Sequence, residues 1–134
     1  MLKAFPFTIF PLAAFNVLVF LLPDRLPEWS AEQFSIDLFS AEQLTLTAGD
    51  LMVLFGLLFL LIEMLRAASA SQGAISNHLA SVIVLLVYVG ELLVIPEAAN
   101  PTFVILTAIA LVDVLAGITV TARVVVRDVN IGEL

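Results

Sequence analysis

Residues 51–68 read LMVLFGLLFLLIEMLRAA, an apolar run interrupted only by Glu63 and closed by Arg66. A helix of roughly 20 residues, with about 17 as the lower limit, crosses the hydrocarbon core of a bilayer, so the run is long enough to span one. Three further segments share its character: residues 4–22, 79–95 and 102–126. Their hydrophobicity follows no helical stripe, as expected of helices whose outer face meets lipid. The pattern predicts an all-α membrane protein, a single domain over 1–134 in which four helices form an antiparallel transmembrane bundle.

Composition points the same way. The chain has 134 residues, 62% hydrophobic and 13% charged, against about 45–50% and about 25% in soluble domains. With no Cys and a single His, disulfides, thiolate metal sites, cysteine nucleophiles and a self-contained pair of histidine ligands are excluded. Five Lys and Arg residues do not make the basic patch that nucleic acid requires. Nucleotide-binding glycine motifs, zinc-protease motifs and serine elbows are absent. The expectation is a protein with no metal, no cofactor and no enzymatic activity.

The basic residues give an orientation. Lys3 precedes the first segment, Arg66 ends the second, and Arg123 and Arg127 end the fourth, leaving Arg25 alone on the other side. That other side collects Asp24, Glu28, Glu32, Asp37, Glu42, Asp50 and Glu97. The positive-inside rule places both termini in the cytoplasm of a bacterial cell and loop 23–49 in the periplasm. No small-x-small cleavage site follows Leu22, so the first segment reads as an uncleaved anchor.

In loop 23–49, Phe34, Ile36 and Leu38 alternate with polar residues, and so do Leu44 and Leu46. This predicts a turn or helical start at Ser30 and then a short β-hairpin resting on the helices. A second reading draws on Ser-Ala-Glu-Gln, which occurs at 30–33 and again at 40–43. Ser followed by Gln three residues on is a capping pattern, so two helical turns would also satisfy it. Trp29 is expected at headgroup level, and Trp29, Phe34, Ile36 and Leu38 are candidates for docking a periplasmic partner. Asp50 is placed to cap the second helix, and Asn100-Pro101 to cap and open the fourth. Pro11 is expected to kink the first.

Four polar residues lie at membrane depth: Asn16, Glu63, Glu91 and Asp113. At about 1.5 Å per residue, Asn16 and Glu91 both fall roughly 7–9 Å below the outer boundary, and Glu63 and Asp113 roughly 16–18 Å. Two layers are predicted, Asn16 with Glu91 and Glu63 with Asp113, with Gly56, Gly90 and Gly117 permitting close approach beside them. Glu63 can pair with Arg66 one turn later. A carboxyl pair sharing a proton would act as helix glue or as a proton or cation relay. His78 reads as an interface residue or, alternatively, as one axial ligand of a cofactor shared with another subunit. Thr107, Thr119 and Thr121 can bond back to their own helix.

Two stretches carry a resemblance: Thr47-Ala-Gly-Asp50 leading to Glu63-Met-Leu-Arg66, and Ala110-Leu-Val-Asp113-Val-Leu-Ala-Gly117 followed by Arg123. The chain resembles small uncharacterised four-span inner-membrane proteins of alphaproteobacteria, a likeness that implies the four-span fold and no particular activity. Small multidrug transporters are similar in size, but their defining glutamate lies in the first span, where this chain has Asn16. Two functional classes follow: a non-enzymatic accessory or assembly subunit, partnered by the bilayer and by another membrane protein or further copies, and a small carrier or ion pathway on Asp113, Glu63 and Glu91.

Overall fold

A computed structural model of the chain describes residues 5–25, 28–69 and 74–132. Lys3, Leu26 and residues 70–73 lie outside the described residues, as do the side chains of Arg25, Thr121, Arg123 and Arg127. Four α-helices are described: α1 (Ile9–Asn16), α2 (Ala48–Ser69), α3 (Ala74–Val94) and α4 (Pro101–Gly132). Between α1 and α2 runs a two-stranded antiparallel sheet of β1 (Glu32–Asp37) and β2 (Gln43–Thr47). A π-helical turn, Val17–Leu21, continues α1, and a 3₁₀ turn at Pro96–Ala98 joins α3 to α4.

Among the described residues, two helices are long and apolar enough to cross a membrane, Ala48–Ala67 and Pro101–Val120. The apolar stretches Ile9–Leu21 and His78–Val94 are shorter. The first segment therefore departs from the expected single helix over 4–22. Its helix begins only at Ile9, because Pro6 and Pro11 bracket the start. Pro11 stands third in α1, where its missing N–H has no intrahelical partner to lose, so it opens the helix instead of kinking it.

Sequence dictates the other ends. Thr47 and Asp50 form a reciprocal cap: the Asp50 N–H donates to Thr47 Oγ1 at 3.2 Å, and the Thr47 N–H donates to Asp50 Oδ2 at 2.9 Å. Asp50 is thus the third-residue partner of a Thr47 cap, and α2 starts three residues earlier than the apolar run suggests. At α4 the Phe103 N–H donates to Asn100 Oδ1 at 2.9 Å with Pro101 as first residue, the arrangement read from the Asn-Pro pair. Thr107 and Thr119 donate to the carbonyls of Phe103 and Leu115 at 2.9 Å.

Contacts fix the helix directions. Gly56 of α2 faces Leu106 and Ile109 of α4, so these helices run parallel, with Glu63 farther along toward Asp113. His78 of α3 faces Gly117, while Tyr88 packs on Phe103, so α3 runs antiparallel to α4. A Cβ at Gly56 would come within 2.7 Å of Leu106 Cδ2, and one at Gly117 within 2.6 Å of His78 Nδ1. Both glycines allow an approach that alanine would obstruct. Gly90 differs from expectation: nothing lies within 4 Å of its Cβ position. The core consists of Leu12, Phe15 and Val19 against Leu60, Val84, Tyr88, Phe103, Leu106 and Ile109.

The hairpin follows the alternating reading, and no helical turn forms at 40–43. Phe34 pairs with Leu46 and Ile36 with Leu44, and Ala41 turns the connecting loop in the left-handed region at φ 62°. The hairpin does not rest on the helices along its length: every residue of β1 is exposed. Its base is held, where Ala48 and Gly49 donate to the carbonyls of Ala31 and Trp29.

Candidate functional site

Three buried or half-buried carboxylates converge on the chain's first helical segment, Glu63 and Asp113 at its start and Glu91 at its end. A helix leaves its first N–H groups without partners and carries a partial positive charge there. In water those groups are solvated; in an apolar interior they need acceptors within the protein. The helix's own first N–H groups bond to the Pro6 and Phe7 carbonyls, and Glu63 of α2 serves Phe7, just before the helix. Glu63 is 2% exposed, and its Oε2 accepts the Phe7 N–H at 2.9 Å. Its Oε1 accepts from Arg66 Nη2 at 2.6 Å, and the Arg66 guanidinium lies 4.6 Å from the centre of the Phe7 ring. Arg66 thus ties α2 to the N-terminal segment through both the carboxylate and the ring face.

Asp113 of α4 holds the same segment through a side chain. It is 5% exposed and accepts the Thr8 hydroxyl at 3.1 Å, with the Ser81 hydroxyl of α3 a further hydrogen-bonding neighbour. Thr8 stands at the cap position of α1 but spends its side chain on Asp113, making no cap bond of its own. Tyr88 of α3, 1% exposed, donates its hydroxyl to the Thr8 carbonyl at 3.1 Å. Glu63 and Asp113 lie within electrostatic range of each other, as do Tyr88 and Glu91.

Eight residues on from Thr8, Asn16 makes the last tie. Its Nδ2 donates to Glu91 of α3 at 2.9 and 3.1 Å and to the Leu12 carbonyl at 3.0 Å. Directly after Asn16 the helix widens into the π turn, where the Leu22 N–H reaches back to the Val17 carbonyl. Such turns accommodate an extra residue within a helix.

Asn16 meets Glu91, then, while Glu63 and Asp113 are joined through Phe7 and Thr8 of the N-terminal segment. Sequence reasoning passed over Phe7, Thr8, Ser81 and Tyr88. The signal for α3 was present as spacing: Ser81, Val84, Tyr88 and Glu91 follow i, i+3, i+7, i+10 and share one face. The Phe7 contact carried no signal, since it is made by a backbone N–H.

Chemically, these links tie the N-terminal segment to α2, α3 and α4. Two of the links end on groups that pass no proton onward, the Phe7 amide N–H and the Thr8 carbonyl. A third ends on the Arg66 guanidinium, which has donors and no acceptor. Among the described residues, no three His, Asp or Glu side chains gather where they could hold a metal ion. His78 Nδ1 is buried against Gly117 and has no hydrogen-bond partner among the described residues.

Of the docking candidates, Trp29 is turned inward and stacks on Phe15 with ring centres 5.7 Å apart. Phe34, Ile36 and Leu38 are exposed. An open apolar groove of about 320 Å³ lies between α1, α2 and the hairpin base, with Leu18, Trp29 and Met52 in its lining. Comparison with protein-family models, curated proteins and solved structures finds no match to this chain.

Proposed function

We propose that the chain is a multi-pass protein of a bacterial inner membrane, an antiparallel four-helix transmembrane bundle with both termini in the cytoplasm. In this reading it serves as a non-enzymatic accessory or assembly subunit of a membrane complex, and its intramembrane carboxylates are internal ties. The observation that carries the reading is the closure of Glu63, Asp113 and Glu91 on Phe7, Thr8 and Asn16 of one segment. Non-helical backbone at membrane depth is tolerated only where protein satisfies its polar groups. Glu63 and Tyr88 satisfy the Phe7 N–H and the Thr8 carbonyl, both of which precede the first helical residue. Acids placed for this purpose need no substrate to explain them.

The test combines composition and flux. Purified in mild detergent from its own membranes, the protein is expected to run with stoichiometric partner subunits or further copies. Asp113→Asn and Glu63→Gln should keep that association. Proteoliposomes holding the protein alone should dissipate proton and sodium gradients no faster than empty ones. A flux that Asp113→Asn abolishes without lowering thermal stability would replace the subunit reading with an ion pathway.

A further inference from the structure

The hairpin is too small to be stable alone, yet its side chains are sorted. Strand residues alternate between faces, and the register puts Phe34, Ile36, Leu44 and Leu46 on one face and Ser35, Asp37, Gln43 and Thr45 on the other. Phe34, Ile36 and Leu44 are exposed, as are Leu38 and Phe39 at the loop. Asp37 projects from the opposite face, where Gln43 Nε2 donates to it at 3.4 Å.

The position of the hairpin narrows what covers that face. β2 runs into α2 with no intervening residue, Thr47 ending one and Ala48 beginning the other. Near the junction, Trp29 at the hairpin base and Leu51, Met52 and Phe55 of α2 line the open apolar groove. Below it, α2 exposes Leu54, Leu57, Leu58 and Leu61. The membrane-length helix and the hairpin that runs directly into it thus both expose apolar side chains. Charge disfavours a second copy: from Glu28 to Asp50 the chain has five acids (Glu28, Glu32, Asp37, Glu42 and Asp50) and no Lys or Arg, so two such loops face to face repel.

We propose that the apolar face of the hairpin lies on the lipid bilayer at the headgroup–acyl boundary, with Phe34, Ile36, Leu38, Phe39 and Leu44 inserted and Asp37 facing water. This deepens the membrane reading given above and rests on it. The hairpin acts as a collar that fixes the depth and tilt of α2, as amphipathic elements with a sorted polar face do at interfaces.

The chain has no Cys, so single spin labels are unambiguous. The full-length protein, reconstituted in phosphatidylcholine vesicles, would carry one label at a time through Ile36→Cys, Phe39→Cys, Ser35→Cys or Thr45→Cys. Leu57→Cys and Leu115→Cys, at exposed helix positions, serve as controls. Collision with oxygen, enriched in lipid, is compared with collision with a water-soluble nickel chelate. Labels at 36 and 39 should show a several-fold higher oxygen-to-nickel ratio than labels at 35 and 45. If 36 and 39 match 35 and 45 while 57 and 115 remain in lipid, the collar is overturned and the membrane reading stands. Labels at 36 and 39 shielded from both reagents would put protein on the face, with spin–spin broadening identifying a second copy, and would also overturn it. Water-accessible labels at 57 and 115 would overturn the membrane reading together with the collar.

Discussion

Glu63 and Arg66 form an unequal pair, since the carboxylate is buried and the guanidinium is partly solvated. Removing a cation from a buried anion costs more than neutralising the anion where it stands. Arg66→Ala is therefore expected to lower unfolding stability by about 2 kcal/mol, measured in detergent, and Glu63→Gln by less, because the amide oxygen can still accept the Phe7 N–H. A Glu63→Gln variant that proves the less stable of the two would contradict this ranking. At this scale the sequence was partly legible. Counting residues from the segment ends put Asn16 and Glu91 at one depth, and the two are bonded. The same count put Glu63 beside Asp113, yet the structure inserts Phe7 and Thr8 as their partners. A backbone N–H has no sequence identity, so no reading of residue types reveals it.

Among the elements, α1 is the one the sequence misrepresented. An apolar run shows where a helix can sit in lipid but not where its hydrogen-bonded turns begin, and Pro6 and Pro11 decide that here. Because Pro11 stands in the first turn, Pro11→Ala should change stability by about 1 kcal/mol or less. A proline that kinked a helix interior would instead cost about 3 kcal/mol, so a variant stabilised by that amount would favour the kink. The pairing of α2 with α4 depends on Gly56, whose Cβ position is closed by Leu106 and Ile109. Gly56→Val should cost about 2 kcal/mol through overpacking, whereas Gly90→Val, with open space around it, should cost little on that account. Unfolding curves of the two variants check the contrast. The hairpin was legible because its period of two survives in the alternation from Phe34 to Leu38. Its stand-off from the helices was not, because exposure depends on where the bundle surface lies. Hydrophobicity alone shows no stripe in the helices, but burial does: Gly56, Leu60 and Glu63 in α2 recur at i, i+4, i+7.

For the whole molecule, the distribution of Lys and Arg makes a prediction about sidedness. A reporter fused after Leu134 should read cytoplasmic and one inserted in the 38–42 loop periplasmic; the reverse pattern would invert the arrangement. That orientation assumes an assembled protein, and in the proposed reading assembly rests on the ties that bind the N-terminal segment to α2, α3 and α4. Comparing the unfolding free energy, in one detergent, of a triple amide variant (Glu63→Gln, Glu91→Gln, Asp113→Asn) and a triple aliphatic variant (all three to Leu) tests those ties most directly. With each membrane hydrogen bond contributing about 1 kcal/mol, the amide variant should stay near the unmodified protein, and the aliphatic variant should fall below it by about 3 kcal/mol. An aliphatic variant as stable as the unmodified protein would show that the carboxylates do not hold the helices together.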